Sequence, residues 1–91
     1  MGKIKAIRLT TGEIVIGFYE KTWNGNHKIV DAKECIANVQ DGKMEISLAD
    51  YIPFAKEYNF TFKKEQVAVV FEVKPQLETN YKVSTGNQRG R

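Results

Sequence analysis

The chain has 91 residues, a formal net charge of +3 at pH 7, and 42% hydrophobic and 27% charged residues. A chain of this length has room for one modest hydrophobic core, and its mixed composition is that of a globular domain and argues against disorder. Residues 84–91 hold Arg89 and Arg91 and no acid, so the rest of the chain carries only about +1. Charge alone therefore does not indicate a nucleic-acid binder, and a positive field must come from local clustering, from this tail, or from several copies together.

The hydropathy and cysteine content bear on the compartment. The longest apolar run, Val67–Phe71, is far too short to cross a membrane, and no apolar segment with a cleavage site follows Met1. Cys35 is the single cysteine, which excludes an internal disulfide and fits a reducing compartment. We therefore expect a cytoplasmic protein.

The amino-terminal part of the chain predicts a hairpin. Strands over residues 3–10 and 13–20 flank the tight turn Thr11-Gly12. The second strand is apolar on both faces, which is typical of central or strongly bent strands. Gly17 in its middle permits sharp curvature or close backbone approach, and a small barrel needs such a bend.

The middle of the chain predicts two longer strands. The turn at residues 24–26 leads into a strand over residues 27–40, and Asp41-Gly42 is a strong signal for a short hairpin. In the next strand three apolar residues alternate with polar ones, so we expect their face to pack on the core and the other face to meet water. These apolar residues are Met44, Ile46 and Leu48.

The carboxyl-terminal part predicts two more strands and a helix. Aromatic side chains alternate over residues 58–63, and a further strand over residues 66–73 follows the polar turn there. Pro75 suits the first turn of a helix, and Leu77 and Tyr81, four residues apart, indicate that it is short and amphipathic. The expected fold is mostly β: a single domain over residues 1–83, built as a small, strongly bent, SH3-like antiparallel barrel of five or six strands with a short C-terminal helix. A flexible basic tail over residues 84–91 should follow it.

The last strand has apolar residues on both faces. Its alternation places Val67, Val69 and Phe71 on one face and Ala68 and Val70 on the other. An unpaired apolar strand at the edge of a small sheet aggregates unless another strand pairs with it. We therefore expect these five residues to form an interface between copies of the chain; the alternative is that the C-terminal helix covers them.

The reactive side chains do not indicate an enzyme. His27 and Cys35 are the only residues of their kinds and lie on one predicted strand, at ~3.3 Å per residue over ~25 Å apart, too far for a catalytic pair. One thiol and one imidazole do not provide a zinc site, and the scattered carboxylates lack the spacing of a paired acid and base. We expect no catalytic residue, no metal and no cofactor, with Cys35 in the core and His27 at the surface beside a turn.

Two turns carry residue types suited to single-stranded nucleic acid. Small barrels combine an aromatic side chain that stacks on bases with basic or amide groups that contact phosphates. The first turn mixes aromatic, amide and basic groups, and the second is basic. The candidates are Trp23, Asn24, Asn26, His27, Lys28, Lys63 and Lys64. The alternatives are that the indole covers the core and that the lysines belong to an ordinary solvated turn.

Several stretches bear a family resemblance. Residues 9–17, LTTGEIVIG, resemble the opening of the first Sm motif, in which a strand ends in a polar-glycine turn and the next strand carries a bending glycine. The acidic stretch Asp31-Ala32-Lys33-Glu34 resembles the one that follows the third strand of many Sm-like proteins. With residues 52–56 and 67–81 included, most of the chain is similar to a family of small Sm-like proteins of tailed cyanobacterial phages.

This resemblance implies a short, strongly bent barrel that forms rings by pairing its fourth and fifth strands between neighbours and, in most members, binds RNA. The chain departs from the second Sm motif, whose arginine-glycine or lysine-histidine pair is replaced by residues 63–66, KKEQ. Lysine contacts phosphate without the planar fork of arginine. The aspartate and asparagine of the first motif's RNA loop have no clean match, although Asn24 and His27 fall near their positions.

The expected function combines these indications. We expect a ring of about five to seven copies that binds RNA or single-stranded DNA and acts in nucleic-acid processing, with no membrane partner. If the chain is phage-encoded, its compartment is the cytoplasm of the infected host. The alternative is a phage assembly or adaptor protein whose ring binds a protein partner.

Overall fold

The computed structural model describes residues 2–89, and the side chains of residues 2–86. It contains, in chain order, β1 (Ile4–Leu9), β2 (Ile14–Lys21), β3 (His27–Gln40), β4 (Lys43–Asp50), β5 (Phe60–Phe62), a 3-10 turn (Lys64–Gln66), β6 (Val67–Phe71) and α1 (Pro75–Arg89). The mostly β fold with a C-terminal helix is therefore confirmed. No helix in this part of the chain is long and apolar enough to span a membrane.

The strands form one antiparallel sheet in the order β4-β3-β2-β1-β6. The long strand β3 pairs with two strands along the same edge: His27 pairs with Phe62 of β5, and Lys33 pairs with Asp50 of β4. Within residues 2–89, β4 pairs only with β3 and β6 only with β1, so the sheet is not closed and has a free edge at each end. The two free edges, on β4 and β6, are thus at opposite ends of the strand order.

The bend expected at Gly17 is present as a bulge. The register of β2 against β3 shifts between Ile16 and Phe18, on either side of this residue. A Cβ atom at Gly17 would lie 2.4 Å from Cγ2 of Ile29 and 2.6 Å from the carbonyl oxygen of Val30. Only glycine allows the two backbones to approach so closely.

Opposite Gly17, β3 itself is distorted at Asp31, whose φ of 56° is in the left-handed region. Two other elements hold this residue. Its N–H donates to Oδ1 of Asn59 at 3.1 Å, and its carbonyl oxygen accepts from the Tyr81 hydroxyl at 2.7 Å. The bulge therefore also fixes α1 to the sheet.

Apolar clusters pack on both faces of the sheet. One face buries a cluster formed by Ile7, Leu9, Val15, Ile29, Ala32 and Phe62. The other face lies under α1, where Ala6, Ile16 and Tyr81 are buried and Leu77 packs beside them. β1 and β2 contribute to both clusters, and β2 is the middle strand of the order, so the prediction that β2 is a central strand is confirmed.

The expectation that the apolar face of β4 packs on the core is only partly right. Leu48 packs against the cluster under α1, but Met44 is 67% exposed and Ile46 46% exposed. The pairing of β2 with β3 ends at Cys35, so beyond that residue β3 and β4 continue as a two-stranded projection. We call residues 36–46 the hairpin arm.

The strict alternation predicted for β6 is wrong, because a register shift falls between Arg8 and Leu9. Val67 and Val70 consequently both pack toward the first cluster. Val69 and Phe71 lie on the face that α1 occupies, yet the helix leaves them 47% and 36% exposed. Among the described side chains, those of β6 on this face are therefore only partly covered.

Two boundaries differ from expectation. The strand expected over residues 58–63 is shortened to β5, because its regular pairing with β3 stops at Phe60 and the Asp31 N–H donates instead to the Asn59 side chain. The helix continues beyond residue 83 to Arg89, and Thr85 is buried within it. The remainder of the predicted flexible tail, residues 90–91, lies outside the described residues.

Candidate nucleic-acid interface

The turn between β2 and β3 is held by its own polar groups. The hydroxyl of Thr22 accepts the N–H of Asn26 at 3.0 Å and donates to Oδ1 of Asn24. The N–H of Gly25 donates to the Thr22 carbonyl at 3.0 Å, and Gly25 takes a φ of 88°. The turn is therefore ordered by hydrogen bonds among Thr22, Asn24, Gly25 and Asn26, and by a glycine at the position that needs one.

The pairing of β3 with β5 brings this turn against the second one. The N–H of Lys64 donates to Oδ1 of Asn26 at 3.3 Å. A methyl group at Gly25 would touch Cδ of Lys64 at 4.0 Å. The two turns singled out from the sequence thus lie side by side at one end of the sheet, and we call this surface the paired-turn site. It comprises residues 22–28 and 63–64.

The side chains of the paired-turn site differ in exposure. Trp23 is 97% exposed, so it does not cover the core. Asn24, Lys63 and Lys64 are exposed, while the remaining candidates, Asn26, His27 and Lys28, are half-buried. A fully exposed indole on an ordered turn beside two exposed ammonium groups has the residue types that stack on bases and contact phosphates.

His27 is held by a partner that sequence reasoning missed. The Tyr19 hydroxyl lies 2.7 Å from Nδ1 of His27, and the two rings are 5.7 Å apart between centroids. Burial, and after it the charge of Lys21, lowers the pKa of His27. Burial also raises the pKa of the Tyr19 phenol, so both groups are neutral near pH 7. With Nδ1 engaged by Tyr19, Nε2 is the ring nitrogen directed to other partners.

The hairpin register adds further charges to this end of the sheet. Lys21 pairs with His27 and Glu20 pairs with Lys28. Together with Lys63 and Lys64 these lysines outnumber the local acids, Glu20 and Glu65. Sequence reasoning did not identify Lys21 and Tyr19 as site residues, because their position beside His27 depends on the register of β2 against β3. The turn residues alone do not determine that register.

Cys35 is separate from this site. It packs half-buried in the cluster under α1, eight residues along β3 from His27. Burial, and after it the charge of Glu34, raises the pKa of its thiol to about 11. A thiol that stays protonated near neutral pH is a poor nucleophile and a poor metal ligand. The two residues do not form a reactive pair.

The predicted subunit-interface residues lie on β6, which follows the 3-10 turn after Lys63 and is the last strand in the order of the sheet. Ala68, Val69 and Phe71 are exposed along the free edge, and Val67 and Val70 are half-buried toward the core. The strand therefore presents both unpaired backbone groups and apolar side chains. Comparison with protein-family models and with curated proteins gives no match for the chain.

Proposed function

We propose that this protein is a ring-forming homo-oligomer with an Sm-like barrel that binds RNA or single-stranded DNA through the paired-turn site. The observation that carries the proposal is the contact between the two turns, in which the Lys64 N–H donates to Asn26. It gathers an exposed indole, amide groups and several lysines on one surface. Such a surface stacks bases on Trp23 and neutralises phosphates with Lys63 and Lys64.

The assembly part of the proposal is supported by the free edges of the sheet. β6 lies at one end of the strand order and β4 at the other. Val69 and Phe71 are on the same face of the sheet as Met44 and Ile46, because all four are on the α1 face. Pairing β6 of one copy with β4 of the next makes these exposed apolar side chains cross-strand neighbours. Contact between different surfaces of identical copies propagates and closes into a ring when the rotation allows.

A ring also compensates for the low net charge of a single copy. A single copy carries a net charge of only +3, which is weak for a nucleic-acid binder. Several paired-turn sites on one ring add their positive fields and let one strand contact several copies. Affinity then rises through multivalency without new contacts in any one copy.

Fluorescence anisotropy with labelled oligo-U, oligo-A and single-stranded DNA at low salt tests the binding. We expect binding that weakens steeply with salt, and its loss in the K63E/K64E variant. The K3E/K82E variant is a matched control, because it makes the same charge change at two exposed lysines outside the site and outside both free edges of the sheet. Trp23→Ala should weaken binding about 5-fold to 100-fold by removing one stacking platform.

Light scattering after size exclusion tests the assembly. We expect a single species larger than a 10.4 kDa monomer at micromolar concentration. Binding that is equally weak in both charge variants, or absent in an assembled wild-type protein, contradicts the nucleic-acid part of the proposal.

A second candidate is an assembly or adaptor protein whose ring binds a protein partner. It is supported by Ile36 and Val39 on the hairpin arm, which are 39% and 67% exposed. Exposed apolar side chains on a projecting hairpin suit a protein surface better than a phosphate backbone. Retention of a defined protein by Sm-like rings that bind no oligonucleotide would favour this candidate.

A further inference from the structure

A lysine on β1 lies against the aromatic pair at the border of the paired-turn site. Nζ of Lys5 is 5.4 Å from the centroid of the Tyr19 ring, within the range of a cation–π contact. The Tyr19 hydroxyl is in turn 2.7 Å from Nδ1 of His27, which belongs to the paired-turn site. A chain of contacts therefore leads from this site across β2 to β1.

Lys21 joins these residues on the same face of the sheet. Side chains alternate along a strand, so Tyr19 and Lys21, two residues apart on β2, point to the same side. Lys21 is also the register partner of His27 on β3. We call Lys5, Tyr19, Lys21 and His27 the lysine–aromatic row.

The row is on the face of the sheet that α1 does not occupy. Tyr19 packs against the first cluster, whereas α1 packs on the other one. The members of the row are half-buried or exposed, so a ligand on this face can reach them. Lys3 is close in the chain but lies beside α1, where it lines a cleft with Lys82, and it is not part of the row.

The two lysines of the row are not neutralised within the described part of the chain. Neither Lys5 nor Lys21 forms an ion pair there. Glu20, the acid beside Lys21 in the sequence, points to the opposite face of the sheet and has Lys28 as its register partner. An ammonium group that rests on an aromatic ring instead of a carboxylate keeps its charge available to a phosphate.

The row continues the line of cations that begins at the second turn. Strands in a sheet lie ~4.8 Å apart, so the row spans ~10 Å from β1 to β3. Phe62 of β5 pairs with His27, and Lys63 follows it directly, which adds one more strand spacing. A stacked nucleic-acid strand advances ~3.4 Å per nucleotide, so this line has room for more than one nucleotide.

We infer that the surface for single-stranded nucleic acid extends from the paired-turn site along the lysine–aromatic row, where Lys5 and Lys21 contact phosphates and the Tyr19–His27 pair contacts a base. This inference rests on the proposed function and extends it, because it states the direction in which the bound strand leaves the turns. Alternation of cations with aromatic rings suits a polymer that alternates phosphates with flat bases. An acidic protein segment needs only the cations.

The salt dependence of oligonucleotide binding tests the phosphate contacts. For a single strand each contact contributes about 0.7 to the slope of log K against log salt, so K5Q/K21Q should flatten that slope by at least about 1.4. K74Q/K82Q is the matched control, since it removes the same charge at two exposed lysines, one in α1 and one directly before it. The control should keep the wild-type slope, and both variants the wild-type circular dichroism spectrum.

Two further measurements test the row in other ways. His27→Gln removes a ring and no charge near neutral pH, so it should weaken binding and leave the salt slope unchanged. In the wild type, added oligo-U should slow acetylation of Lys5 and Lys21 several-fold, followed by mass spectrometry, and leave that of Lys82 unchanged.

The outcomes separate this inference from the proposed function. A wild-type slope in K5Q/K21Q, together with loss of binding in K63E/K64E, overturns the row and leaves the paired-turn site in place. A wild-type protein that binds no oligonucleotide overturns both. Polyglutamate that displaces oligo-U as well as an unlabelled oligonucleotide of equal charge would show that the row accepts an acidic protein segment, and it overturns the base contact.

Discussion

Replacing Gly17 by alanine places a methyl group where the two backbones of the bulge approach each other. The new Cβ would lie 2.4 Å from Cγ2 of Ile29 and 2.6 Å from the carbonyl oxygen of Val30. Ile29 is fully buried, and the Val30 oxygen belongs to the paired strand, so neither atom can rotate away. The strands must separate by several tenths of an ångström, which disturbs the hydrogen bond from Tyr81 to the Asp31 carbonyl as well.

Overpacking of this kind costs about 1–3 kcal/mol, and a clash with backbone belongs at the upper end, so we expect a loss of about 3 kcal/mol in the free energy of unfolding. Urea unfolding followed by circular dichroism measures it. Gly86→Ala is the matched control, because nothing lies within 4 Å of a Cβ there and the residue is in α1. The control should gain up to about 1 kcal/mol from helix propensity. A Gly17→Ala variant within 0.5 kcal/mol of wild type, on the order of a neutral surface substitution, would refute the packing at the bulge.

Two further predictions concern charged groups. Asp50→Ala leaves the buried Lys33 ammonium without the carboxylate that now lies 2.8 Å from it. The free energy of unfolding, measured in urea titrations, should therefore fall by about 1–3 kcal/mol, and by less in Asp50→Asn. Equal stability of the wild type and both variants would contradict this. The pKa of His27 is lowered in the folded chain, so the unfolded chain binds the proton first as the pH falls. The free energy of unfolding should therefore decrease from about pH 7 until the pH has passed the pKa of His27 in the folded chain. NMR titration of this sole histidine should give a pKa below 6.5. In His27→Gln, the acid-induced drop in the midpoint of urea unfolding should be smaller than in the wild type. A pKa above 6.5 would show that the imidazole is not desolvated as described.

Much of the fold follows from local patterns in the sequence. The Thr11-Gly12 turn between β1 and β2, the Asp41-Gly42 turn with φ values of 52° and 75°, and the Leu77–Tyr81 spacing each have a direct physical reading. The bend at Gly17 also follows from the residue itself. These features depend on contacts between neighbours in the chain or on one residue's conformational range.

The features that sequence reasoning missed depend on distant pairing. The register shift at Arg8 comes from β6 meeting β1, and it redirects Val69 away from Val67. The exposure of Met44 comes from β2 ending its pairing at Cys35. The Tyr19–His27 hydrogen bond likewise needs the β2–β3 register. The residue types of the two turns nonetheless indicated both parts of the paired-turn site. The contact between the turns could not be predicted, because it depends on the pairing of β3 with β5.

The position of β6 has a consequence for the chain as it emerges from the ribosome. Its partner is β1, which precedes all the other strands of this sheet in the chain, and β2, β3, β4 and β5 are made in between. Until β6 arrives, the nascent chain holds β1 with one unsatisfied edge and with Ile7 and Leu9 only partly covered. Completion of this domain therefore waits for the synthesis of β6, and a nascent chain stalled before Val67 is the species most prone to capture by chaperones or to aggregation.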